Sequence, residues 1–175
     1  MTPVQTDPIR ILAVDPALRN TGYAILERTG VKPVCRLHGT IRNKRELSFP
    51  GCLAAIHTAI SGLLIEWRPS ALAIEGVIFV QSYQTAITLG AARGSAILAA
   101  AQLGLPVHEY APRRAKQAVV GRGAASKGQV AFMVRAVLGM TETPDPDAAD
   151  AIAIGLAHFH AFDAAVARRQ PLPCL

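Results

Sequence analysis

The chain has 175 residues, of which 51% are apolar, enough for one globular domain with a sizeable buried core. Eighteen lysines and arginines stand against twelve acids, and the net charge of +6 favours a polyanionic partner, either nucleic acid or an acidic membrane face. The longest uninterrupted apolar run, around Ala96 to Ala101, falls far short of the ~20 residues that span a bilayer, and no charged segment followed by an apolar core opens the chain. These features argue against membrane insertion or export, and three cysteines without C-x-x-C spacing argue against a disulfide framework or a structural zinc, as suits a reducing cytoplasm.

Residues 1 to 8 have turn and polar character without a period and read as a loose leader. Ile11-Leu12-Ala13-Val14-Asp15-Pro16 is a short apolar run, consistent with a buried strand, that ends in a carboxylate. Pro16 prevents further pairing and leaves Asp15 at the edge of a core. There it either caps its own turn or needs a cation. Gly22 to Leu26 and Pro33 to Ile41 read as two more strands, and the short gaps between them predict an antiparallel meander. From Pro50 the period becomes helical, with Leu53, Ile56, Ile60, Leu63, Leu64 and Trp67 three and four residues apart, until Pro69. Ala71-Leu72-Ala73-Ile74-Glu75 is a second buried strand ending in an acid. Reached through a helix, it should lie parallel to the first. Asp15 and Glu75 would then sit ~5 Å apart and repel unless a cation or a proton is shared between them.

A helix is predicted over Gln84 to Leu103, with a middle of small residues from Leu89 to Ala96 that suits close packing on the sheet or on a second copy. Leu105 to Tyr110 reads as the last strand. Ala111 to Met140 contains no acid but carries Arg113, Arg114, Lys116, Arg122, Lys127 and Arg135, either a solvated basic face or a surface for phosphates. Ser126 and Gln129 form a capping box that places Lys127 beside the free amides of a helix start. Asp145 reads as the N-cap of the last helix, with Pro146 in its first position. Asp147 and Asp150 follow on one face of it. Complementing the helix dipole explains Asp147 better than Asp150, which lies among alanines and isoleucine.

Four acids therefore converge: Asp15, Glu75, Asp147 and Asp150. Oxygen ligands alone suit magnesium or manganese rather than zinc. His158 and His160, two apart on a helix, point to opposite sides and read as surface or packing residues. Two ions ~4 Å apart could drive an in-line phosphodiester displacement. With basic residues nearby, nucleic-acid hydrolysis is the natural chemistry.

These segments, together with Asn20-Thr21-Gly22-Tyr23, Leu89-Gly90-Ala91-Ala92-Arg93-Gly94, Lys116-Gln117-Ala118-Val119-Val120-Gly121 and Pro146-Asp147-Ala148-Ala149-Asp150-Ala151, resemble the RuvC family of Holliday-junction resolvases from about Ile9 to His160. The resemblance implies an α/β, ribonuclease H-like fold: a five-stranded mixed sheet, three antiparallel strands then parallel ones, flanked by helices. It would occupy residues 9–163, with 164–175 as a flexible tail. The resemblance further implies a homodimer that binds a four-way DNA junction and makes paired symmetric nicks, with a branch-migration helicase complex as a further partner. It places the metal ligands on Asp15, Glu75, Asp147 and Asp150 for two Mg²⁺ ions, with Mn²⁺ as a substitute. Lys116, Lys127 and Arg122 would serve DNA, and Ile78 or Phe79 would stand for the family's base wedge. Ala17 and Gly76 depart from the family's glycine and polar residue. The alternatives are a nuclease of the same fold for other branched substrates, a junction-binding protein with weak catalysis, and, more remotely, an actin-like ATPase.

Overall fold

The computed structural model describes residues 8–77 and 82–175. The expected leader, apart from Pro8, and both wedge candidates, Ile78 and Phe79, lie outside the described residues. Three strands open the fold: β1 (Ile9–Asp15), β2 (Asn20–Arg28) and β3 (Pro33–Arg42). They form the expected antiparallel meander. Helix α1 (Phe49–Trp67) leads to β4 (Ala71–Glu75), and α2 (Tyr83–Gln102) leads to β5 (Val107–Tyr110). Both returning strands are parallel to β1, giving the order β3-β2-β1-β4-β5. Helices α3 (Pro112–Val120), α4 (Lys127–Leu138) and α5 (Pro146–Arg168) complete the chain.

The alternation of side chains along the central strands divides the core in two. Ile11, Ala13, Ala24, Leu26 and Ala73 face Ile152, Leu156 and Phe159 of α5. Leu12, Val14, Ile25, Leu72 and Ile74 face Ile56, Ile60 and Leu64 of α1 and Ala92, Ala96 and Ala100 of α2. By length and composition α1 is apolar enough to cross a bilayer. The uninterrupted-run criterion misses this because Gly51, His57 and Ser61 break the run. Its stripe of Cys52, Ile56, Ile60 and Leu64 is buried against the sheet.

One expectation is corrected. Asp145 occupies the N-cap position of α5, but its side chain makes no capping hydrogen bond. Its carboxylate instead accepts from Arg42 at the end of β3, at 2.5 Å. At the C-terminal end α5 runs on to Arg168, the Leu175 amide donates to the Val107 carbonyl at 2.9 Å, and His108 Nδ1 meets the Pro173 carbonyl at 2.7 Å. These contacts occupy polar groups along the edge strand β5, which otherwise face open solvent.

The approach of α5 to the sheet is closest at Gly22, where a Cβ would lie 2.0 Å from the Asp147 carbonyl oxygen. Only a residue without a side chain lets β2 and the first turn of α5 meet this way. Gly22→Ala should therefore cost about 1–3 kcal/mol in overpacking and displace the turn bearing Asp147. Gly62→Ala, in open space on α1, should gain about 0.5–1 kcal/mol. Opposite shifts in urea midpoint for the two variants check this.

Candidate active site

The parallel register pairs Val14 with Ile74, so the strand ends carry Asp15 and Glu75 side by side. β1 stops at Pro16, and the turn that follows is locked by the buried Thr21 hydroxyl, which donates to the Ala17 carbonyl at 2.6 Å and accepts from the Ala17 amide at 3.4 Å. Ala17 is absent from the positive-φ residues, so alanine carries no backbone strain here. Gly76 has a packing reason: a Cβ there would fall 2.7 Å from Glu109 Oε1. Glu109 in turn pairs with Arg93, whose Nε donates to the Glu75 carbonyl at 3.3 Å. The strand end bearing Glu75 is thereby tied to α2.

Helix α5 brings its first turn over this edge. Asp15, Glu75, Asp147 and Asp150 line one cleft of about 320 Å³ with Asn20, Lys116 and Lys127. The capping box at Ser126 and Gln129 starts α4 as expected, and sets Lys127 so that its Nζ lies 3.1 Å from Asp150 Oδ2 and 3.4 Å from Asp147 Oδ1. Six of the expected site residues are thus together. Arg122 is exposed in the α3–α4 connection and does not line the cleft. Asn20 lines it without having been singled out. Its signal was its place as the first residue after the Asp15 turn, which puts it at the same sheet end.

Burial, then the charges of Glu75 and Asp150, push the Asp15 carboxyl up to about 8. The Glu75 carboxyl is also raised, chiefly by burial, and is hydrogen-bonded to Asp15. Both shifts have the same sense: without a cation, the two strand ends favour holding a proton. Burial pulls Lys127 down, but its bond to Asp150 and the charges of Asp147 and Asp15 outweigh this and hold it above its ordinary value. The histidines stay outside the site: His158 is buried, bonded to the Tyr110 hydroxyl at 2.9 Å and pushed down to about 4 by burial, while His160 is exposed. Among the described residues, no three acid, histidine or thiol side chains already stand at distances that would jointly hold one ion. The donor set nonetheless fits hard divalent cations, because four carboxylates share one cleft, where burial and mutual repulsion raise Asp15 and Lys127 lies against Asp147 and Asp150.

The family model described as "Crossover junction endodeoxyribonuclease RuvC" matches residues 11–158. The chain belongs to the RuvC family. A crossover junction endodeoxyribonuclease RuvC from Akkermansia muciniphila is 52% identical over 155 residues, covering 89% of this chain and 93% of the relative. One from Citrifermentans bemidjiense is 42% identical over 150 residues, covering 86% and 92%. Thermus thermophilus RuvC in complex with a Holliday junction substrate superposes with a TM-score of 0.81 at 32% identity, over 91% of this chain and 96% of that one. The five-stranded mixed sheet with its helices is accordingly the ribonuclease H-like fold of RuvC.

With metal chelated, the native state retains the Asp15 proton over a range in which the unfolded chain, whose carboxyl titrates at 3.8, has lost it. Unfolding then releases a proton, so the site's contribution to stability falls as pH rises from about 4 to about 8. Thermal melts in EDTA between pH 5 and 8 should show this fall in the wild type and a flatter curve for Asp15→Asn. At pH 8 the variant should melt higher than the wild type, and the difference should vanish towards pH 5.

Proposed function

We propose that this protein is a structure-specific DNA endonuclease that resolves Holliday junctions by paired, symmetric, metal-dependent hydrolysis in recombination and repair. The observation that carries this reading is the single cleft uniting Asp15, Glu75, Asp147 and Asp150 with Lys116 and Lys127, in a chain of the RuvC family. Asp15, Glu75, Asp147 and Asp150 would hold two Mg²⁺ ions, or Mn²⁺ in their place. When bound, these would activate a water and stabilise the leaving oxygen of an in-line displacement. The chain's residues prepare that step. Once a cation is held, Asp15 would lose its proton to solvent, Lys127 would leave Asp147 and Asp150 free, and the ammonium groups of Lys116 and Lys127 would balance the charge of the scissile phosphate. Ile78 or Phe79 would unstack bases at the junction centre. The three cysteines are all free, as suits a cytoplasmic enzyme.

A four-way junction requires two cuts, and a two-fold dimer supplies two sites. Support for a dimer comes from the outward face of α2. A Cβ added at Gly90 or Gly94 would meet nothing within 4 Å, and exposed Ile87 and Leu98 extend the same stripe. Small residues four apart let two helices meet closely. A branch-migration helicase complex is a further partner in this reading.

On a denaturing gel, a synthetic mobile junction should be nicked at symmetric positions with Mg²⁺ and not with EDTA, while a matched linear duplex stays intact. Asp15→Asn should abolish nicking and spare junction binding, and Lys116→Ala should slow nicking about 10²-fold and weaken binding. Normal nicking by Asp15→Asn would remove the metal-site reading. For the dimer, Gly90→Leu/Gly94→Leu should sediment at half the wild-type mass. A wild type that sediments as a monomer would refute the two-fold arrangement.

A further inference from the structure

A second basic surface stands at the same end of the sheet, in the connection that follows β3. β3 is parallel to β1 and separated from it by β2, with Asn20 in register with Arg42. The end of β3 therefore lies two strand spacings, about 10 Å, from the end that carries Asp15. The chain continues from it as Arg42-Asn43-Lys44-Arg45-Glu46. Lys44 and Arg45 are exposed, and among the described residues neither forms an ion pair.

This loop is held to the active-site turn through its backbone. The Arg19 guanidinium donates to the Lys44 carbonyl at 2.5 Å and to the Leu47 carbonyl at 3.2 Å. The Asn43 amide donates to the Arg19 carbonyl at 2.8 Å, and its side chain donates to the carbonyls of Leu18 at 2.8 Å and Cys52 at 3.2 Å. Arg42 ties the same corner to Asp145, two residues before Asp147. The loop is thus built from the turn that ends β1, and its two cations remain available.

A nucleic-acid strand whose scissile phosphate lies over the acids must also carry its neighbouring phosphates past them. Lys116 and the α3–α4 segment neutralise charge on the β5 side of the cleft. On the β3 side Arg42 is already engaged by Asp145 and Glu46 adds a further acid, so a backbone leaving the site there needs other cations. From the position, exposure and rigid support of the loop, and resting on the endonuclease reading above, we infer that Lys44 and Arg45 form a phosphate-binding rim that grips the DNA backbone on the β3 side of the cleft.

Removing two phosphate contacts has a specific signature, because each releases about 0.9 counterions from B-DNA. Fluorescence anisotropy of the full chain with labelled junction and labelled linear duplex, in EDTA over a salt series, reads it. For Lys44→Ala/Arg45→Ala, the plot of log Kd against log salt should flatten by about two, with affinity about tenfold weaker near 0.1 M salt. Lys32→Ala/Arg68→Ala removes the same net charge at the opposite end of the sheet and should keep the wild-type slope. An unchanged slope in the loop variant, or equal flattening in both, overturns the assignment. The slopes decide it on either DNA, whereas failure of the wild type to prefer the junction would count against the resolvase reading instead.

Discussion

Two buried strands that run parallel and end together on acids set the terms for the rest of this molecule. The parallel register leaves Asp15 and Glu75 at adjacent strand ends, where burial and mutual repulsion make a doubly ionised pair costly. Such a pair needs a proton or a cation, and the surrounding structure is arranged to supply either. Burial raises the proton affinity of both carboxyls, Lys127 lies against the neighbouring aspartates, and Lys116 lines the same cleft. The raised affinity of Asp15 for a proton and the affinity of an oxygen-lined cleft for a divalent ion have the same origin, negative charge confined where water cannot fully screen it.

That confinement depends on α5. Residues from Ala148 to Phe159 are buried apart from Asp150, so the helix is held along its length by the sheet and cannot retreat from the acids it carries. Its alanines and Gly155 permit a close approach, and Gly22 on β2 receives the Asp147 carbonyl where any side chain would collide. Packing energy therefore holds the carboxylates together against their electrostatic preference. This is the same division of roles that makes Asp150, acidic in an apolar setting, a stronger sign of chemistry than Asp147, which the helix start accommodates on its own.

The strands and helices were legible because their periods are undisturbed: alternating apolar positions in β1 and β2, and three-and-four spacing in α1. Asp15, Glu75 and Asp150 were legible because each interrupts or terminates an apolar pattern, and Asp147 because it shares a helix face with Asp150. What escaped the sequence depends on residues far apart in the chain. Asp145 has the position and chemistry of a cap, but a guanidinium 103 residues away takes its carboxylate, and local pattern cannot register that competitor. The contacts that Pro173 and Leu175 make with β5 likewise join residues more than sixty positions apart. The Lys44–Arg45 corner is too short, and too near Glu46, to stand out as a basic run. Its meaning comes from the topology, which returns β3 to the end of the sheet where β1 stops.

The same topology explains why the site is polar in a graded way rather than simply acidic. Two strand ends and the first turns of α5 deliver the acids to the middle of the sheet edge, while α3 after β5, the start of α4 and the loop after β3 deliver the bases around them. A phosphodiester backbone laid across that edge meets a cation before and after the acidic centre. Only at that centre must its charge be met by metal ions. The arrangement lets a basic protein hold a polyanion while presenting four carboxylates to it. Bases gathered on one side alone would pull the backbone off the acids, so cations on both flanks are what keep the bound strand centred over the site that cuts it.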